Sequence, residues 1–348
     1  MHFGIFLEER RRGASETATY RETLALADAA EAWGLDCVWL GEVHFNGGRS
    51  VQSAPLMLAS FMAARTRRLH VGTAVQVLPL NNPLRIAEEV ATIDHLSEGR
   101  FEFGIGRSGS ARSYDILGVP YGESQARFLE ALEIIREAWK GRPFSYAGRF
   151  FQVNNVAVSP VPYQSPHPPM RMAANSEETF LQVARLGLHI FVGLRDHDVA
   201  SLRWNLEAYR RAWVEAGHPG RGSAYLRIPV YAAETERDAI EEPRENITGF
   251  FQRHLDLVRS GLGRADTGPA ARRQVVAEQV ASLTYEDILK TRVAFGTAPR
   301  LIERLGELQE ELGLDGIVAE LYPGGLLSSE QMHRTLRILT HEVMPALR

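Results

Sequence analysis

Residues 38–48 read VWLGEVHFNGG, an apolar run that ends in Glu42 and His44. Two positions apart on an extended chain, they share one side of it. A carboxylate beside an imidazole can orient a general base, supply metal ligands, or close a polar strand end. A hydrolytic metal site needs further histidines and aspartates at other strand ends. Here only His197 is so placed, and no metal is expected.

Two other stretches could hold an anion. GIGRSG (104–109) has the Gly-x-Gly-x-x-Gly pattern. A dinucleotide site would also need a helix opening at that turn, whereas SARSYDILGVPYGES intervenes. Two readings remain: a glycine-rich strand end that admits a flat ring or phosphate, with Arg107 as a fixed positive charge, or a tight turn with a surface arginine. In AANSEETF (173–180), Ser176 is placed to cap a helix running to Leu186. Its amides and dipole could receive a phosphate, and helix capping alone also accounts for the pattern.

The elements that must position these residues alternate. Apolar, β-rich runs at 2–7, 37–43, 70–78, 101–106, 170–174, 189–193, 225–233 and 315–323 are separated by helical patterns near 19–33, 53–65, 83–96, 125–139 and 328–342. On the first helix Leu24, Ala27, Ala30 and Ala32 form the apolar side. About eight βα units without two equal halves predict an α/β fold, a (β/α)8 TIM barrel in one domain over 1–348. Insertions are expected at 141–169, as a small hairpin, and at 261–297, as a lid, an interface element or a mobile loop. In such a barrel the chemistry belongs at the C-terminal strand ends.

Composition narrows the class. The 348 residues carry 45% hydrophobic and 24% charged residues and a net charge of −4, which gives no basic field for nucleic acid or an anionic membrane. The cluster Arg10-Arg11-Arg12 reads as solvated surface. A single cysteine, Cys37, excludes an internal disulfide framework and reads as a buried core thiol. MHFGIFLEERRR, with its charges after a short apolar run, predicts neither a signal peptide nor a membrane span, so a cytoplasmic protein is expected.

Several motifs, in order, resemble the bacterial luciferase-like flavin-dependent monooxygenases. They are FGIF, GLDCVWLGEVHF, RTRRLHVGTAV, PLNNPLRIAEEVATIDHLSEGRFEFGIGR, ILGVPYGES, AANSEETF and FGTAPRLIERL. The likeness is densest over 34–128, and DHLSEGRFEFGIGR is its most specific piece, through Asp94, Ser97, Gly99, Arg100 and Gly104. It implies reduced FMN at the barrel mouth, with its phosphate near Arg107, Ala174, Asn175, Ser176 and Thr179. Its ring would lie against Ala74 and Val75, joined by a non-prolyl cis peptide, and Gly106 would leave room beside it. Ser108, Tyr114, Arg195 and Tyr322 would line the substrate pocket.

The resemblance further implies oxygenation of a small organic substrate with O2 through a flavin C4a-peroxy adduct. Reduced FMN would come from a separate NAD(P)H:flavin reductase. A homodimer formed through the helices near 53–65 and 83–96 is implied too. Relatives of the same fold use deazaflavin F420 for hydride transfer, and others are non-catalytic flavin-binding partner subunits; both stand as alternatives. One departure matters: the family commonly has Glu-His-His-Phe, with acid–base chemistry on the first histidine, whereas this chain has Glu42-Val43-His44-Phe45. His44 is thus structural, in contact with the ring, or a substitute base.

Overall fold

The computed structural model describes residues 1–8, 15–260 and 270–348. Arg10–Arg12 and the 261–269 part of the expected insertion lie outside these. Eight strands form the barrel: β1 (His2–Leu7), β2 (Cys37–Leu40), β3 (His70–Thr73), β4 (Phe101–Gly106), β5 (Met170–Ala173), β6 (His189–Gly193), β7 (Ala224–Ala232) and β8 (Gly316–Glu320). Every neighbouring pair is parallel, and β8 closes the ring by pairing with both β7 and β1. The strands are buried on both faces, which is why they read as continuous apolar runs.

The barrel axis is filled by an inner cluster of Phe6, Cys37, Trp39, Phe191, Tyr225 and Val318. Trp39 takes the centre because the two strands flanking β2 carry glycine there. A Cβ on Gly4 would lie 2.7 Å from the indole Nε1, and one on Gly72 would lie 2.4 Å from Cζ3. Below this layer, at the N-terminal ends, the Arg171 Nε donates to Glu102 Oε2 (3.1 Å) and its guanidinium lies 3.7 Å from the Tyr225 ring centre. Burial pushes the Glu102 carboxyl up, but Arg171 and His70 outweigh it and bring it down to about 2. Cys37 is fully buried, and its thiol is pushed well above its ordinary value by burial.

The outer helices pack on this barrel through one apolar side each. On helix Glu16–Ala32 that side is Leu26, Ala27 and Ala30 with Thr19 and Thr23, while Ala32 faces solvent. Helix Pro83–Leu96 opens on Asn82, whose Oδ1 accepts from the amides of Leu84 and Arg85. At its end, buried Asp94 accepts two bonds from Gln164, at 2.8 and 2.7 Å. Arg100 donates to the carbonyls of Ala63 and Leu69 and to the Thr66 hydroxyl. The segment with the most family-like sequence therefore ties the turn before β4 to its neighbours.

Two excursions leave the βα repeat. Phe144–Ala147 and Gln152–Val156 form an antiparallel hairpin between β4 and β5. After β7 the chain makes helices Glu236–Glu241, Arg244–Ser260, Ala270–Ala281 and Tyr285–Thr291. Strand Ala294–Gly296 then pairs with the end of β7. This excursion starts well before residue 261 and has its own core of Ile247, Phe251, Leu255, Ala277, Val280 and Ile288. No helix of the described residues is long and apolar enough to cross a membrane.

Candidate active site

The C-terminal strand ends form a rim with two unlike halves. On the β2–β5 half, Glu42 is the hinge. Its side chain is 1% exposed; Oε1 lies 2.6 Å from His44 Nε2, and Oε2 accepts the amide of Val77 at 2.7 Å. Burial raises the Glu42 carboxyl, and the hydrogen bond to Glu42 raises the imidazole of His44. The pair borders a groove between helices Pro55–Arg65 and Pro83–Leu96, away from the polar cavity described below. Val43 is buried, and its amide donates to the Gln52 carbonyl. Gln52 Nε2 in turn holds the carbonyls of Leu7 and Gly41, fixing the ends of β1 and β2 together.

β3 stops at Thr73, whose hydroxyl donates to the Gly104 carbonyl at 2.7 Å. The Ala74–Val75 peptide is cis, as the resemblance implies, and Gln76–Val77 resumes pairing beside Ile105–Gly106. Glu42 anchors that resumed strand. Ala74 and Val75 are half-buried on the inner aromatic cluster. Gly106 is required here, because a Cβ would lie 2.5 Å from Val75 Cγ2. The result is a smooth step of small side chains at the rim.

Next to that step stand polar groups. Arg107 is half-buried and has no ion-pair partner among the described residues. Ser108 has a positive φ of 62°, and its Oγ accepts from the Ser110 amide. Tyr114 is fully buried: its hydroxyl donates to the Arg107 carbonyl, so it holds the loop from beneath instead of lining a pocket. Just after β5, Ala174 is buried and Asn175 exposed. Ser176 caps helix Glu177–Arg185, its Oγ accepting from the Thr179 amide (3.2 Å) and lying 2.6 Å from the Thr179 hydroxyl. The exposed Glu177 and Glu178 share that turn, where solvent screens them.

The other half of the rim encloses a cavity of about 430 Å³ beneath helix Arg244–Ser260. Arg195 and Tyr322 line it, with Arg227, Glu320, Phe250 and His254. Glu320 Oε1 accepts from Arg227 Nε at 2.8 Å and lies 3.6 Å from Arg195 Nη2. Burial raises its carboxyl, but the two guanidiniums prevail and leave it below the usual carboxylate range. His254 Nε2 lies 2.5 Å from Asp196 Oδ1. Among the described residues no three His, Cys, Asp or Glu side chains gather as a metal set.

Ser108 and Tyr114 thus stand by the β4 loop, while Arg195 and Tyr322 share the cavity. Sequence reasoning missed Arg227, Phe250, His254 and Arg49, which also lines the cavity. Arg227 left a signal, a charge in the middle of YLRIPVYAA at an inward position, two residues from Tyr225.

The fold is a (β/α)8 barrel, a class whose enzymes carry their chemistry at the C-terminal mouth. The sequence profile of the luciferase-like monooxygenases matches residues 1–316, and the chain belongs to this family. Protein y4wF of Sinorhizobium fredii is 38% identical over 189 residues, 54% of this chain and about half (55%) of that protein. The oxygenase component of flavin-dependent trigonelline monooxygenase from Acinetobacter baylyi is 26% identical over 99% of this chain and 95% of its own length. Among solved structures, the oxygenating constituent of 3,6-diketocamphane monooxygenase of Pseudomonas putida, in complex with FMN, shares the fold. Its TM-score is 0.82 at 19% identity, over 100% of this chain and 99% of that one.

Proposed function

We propose that this chain binds reduced FMN at the β3–β5 side of the mouth and uses O2 to oxygenate a small organic substrate. The observation that carries this reading is the small-residue step of Ala74, Val75 and Gly106 beside Arg107, Ser176 and Thr179. A flat ring fits the first, and a phosphate dianion suits the second: one uncommitted guanidinium, two hydroxyls and a helix N-terminus. When bound, the reduced flavin supplies the electrons that activate O2.

The protein's own work is positional. Glu42 holds the Gln76–Val77 strand, and through it the ring-facing step, by accepting the Val77 amide. Tyr114 fixes the Arg107 carbonyl and with it the start of the phosphate loop. Helix Arg244–Ser260 covers the substrate side and limits water there. Val43 leaves no acid–base group where the family's first histidine stands. His44, bonded to Glu42, is assigned a positioning part.

A separate NAD(P)H:flavin reductase belongs to this reading, supported by the Acinetobacter relative being named an oxygenase component. So does a homodimer through helices Pro55–Arg65 and Pro83–Leu96, where Met57 is 77%, Phe61 53% and Leu96 63% exposed. The test is anaerobic titration with reduced FMN and with reduced riboflavin. FMN should bind more tightly, and Arg107→Gln with Ser176→Ala should remove the difference. No saturable binding of reduced FMN would refute the reading.

A further inference from the structure

We infer that the cavity under helix Arg244–Ser260 is a recognition site for an organic carboxylate, with Arg195 and Arg227 as its anion-binding pair. The inference deepens the proposed function, and rests on it only in making this anion the oxygenase's substrate.

The floor of the cavity has more cation than anion. Arg227 and Arg195 both turn to a single oxygen of Glu320, so two guanidiniums share one carboxylate. Glu320 is 5% exposed, whereas the side chains of Arg195 and Arg227, which line the cavity, are 31% and 24% exposed. The other ionisable groups nearby are bonded to one another or wet. Arg49 is bidentate to Glu8, at 2.7 and 3.1 Å. His254 is bonded to Asp196, and Asp256 and Arg253 lie on the exposed rim. At the floor itself, two guanidiniums therefore meet one carboxylate.

Both guanidiniums are also held in place. The Arg227 Cζ lies 3.3 Å from the centre of the Phe6 ring, and the Arg195 Cζ 4.8 Å from that of Phe250. An arginine stacked on a ring keeps its N–H edge in a fixed plane. Arg227 engages Glu320 through Nε, which leaves its two Nη groups for a ligand. A carboxylate is the planar, two-oxygen partner that such an edge fits. Phe6, Phe250 and Tyr322 supply apolar surface for the rest of the molecule, and about 430 Å³ is the size of a small-molecule site.

The experiment compares acids with their uncharged isosteres by calorimetry on the chain without flavin: benzoate against benzamide, phenylacetate against phenylacetamide, and cyclohexanecarboxylate against its amide. At least one acid should bind about tenfold more tightly than its amide. Arg195→Gln and Arg227→Gln should each erase most of that preference, and Arg195→Lys should keep part of it. Arg195→Gln leaves the Arg227–Glu320 bond intact, so it carries the test if the Arg227 variant fails to fold. If no acid outbinds its amide, or if Arg195→Gln keeps the full preference, the inference is overturned. Acid preference without reduced-FMN binding would overturn the flavin reading alone. Reduced-FMN binding without acid preference would overturn only this one.

Discussion

Replacing Gly72 with alanine tests how the barrel axis is packed. The new Cβ would sit 2.4 Å from Trp39 Cζ3, 2.6 Å from Cε3 and 2.9 Å from the Glu102 carbonyl oxygen, where ordinary contact begins at 3.4 Å. Something must move by roughly 1 Å in a core packed as densely as an organic crystal. The indole has no room, since Gly4 closes on its far side and Phe191 meets its face edge-on at 4.8 Å. Overpacking against a ring and a backbone oxygen together is expected to cost about 3 kcal/mol, the upper part of the usual range. For a chain of this length that lowers Tm by about 4 °C. The assay is a double-mutant cycle by urea denaturation with Trp39→Phe, which removes the ring atoms that collide. Gly72→Ala should cost under about 1 kcal/mol in that background, a coupling of about 2 kcal/mol. An equal cost in both backgrounds, or none in the parent, would refute the account.

Other consequences are as accessible. His189 Nδ1 accepts the Ser223 amide, and burial lowers its imidazole to about 4. The unfolded chain thus takes up that proton first. Stability is complete above the ordinary histidine value of 6.5 and falls, by at most about 3 kcal/mol, as pH drops towards 4. A His189→Asn variant should show a flatter profile over this window, and matching slopes would count against it. Glu42→Ala strands the Val77 amide and should cost about 2 kcal/mol with weaker reduced-FMN binding, whereas Glu42→Gln keeps an acceptor and should lose less; denaturant midpoints and titrations decide. Met57→Glu with Phe61→Glu should shift a dimer to monomer in sedimentation velocity, and a parent sedimenting as a monomer would remove the dimer.

The strands were the most legible part. Runs 2–7, 101–106 and 189–193 coincide with β1, β4 and β6, because a strand buried on both faces must be apolar throughout. Where chemistry enters, boundaries fail. β2 was expected to reach 43 but ends at Leu40, since Gly41 and Glu42 turn to serve Gln52 and Val77. β3 was expected to run unbroken from 70 to 78, but it ends at Thr73, before the cis peptide. Tyr114 looked like a pocket residue by its place in the loop, but an aromatic ring after a glycine-rich turn can equally pack beneath it. His254 carried no local sign at all. Its role depends on helix Arg244–Ser260 folding back over strands that lie tens of residues away, and no periodicity encodes that.

The way the ring closes also orders its assembly. β8 pairs His2 with Gly316 on one side and Tyr225 with Gly316 on the other. During synthesis β1 and β7 therefore wait as open strand edges until residue 320 has emerged from the ribosome. Such edges are templates for joining another chain. Glu320, the counter-ion that Arg195 and Arg227 share, arrives with the closing strand itself. A chain truncated before β8 would lack more than its last βα unit: its two unclosed edges and unneutralised arginines would make it a substrate for chaperones and an aggregation hazard.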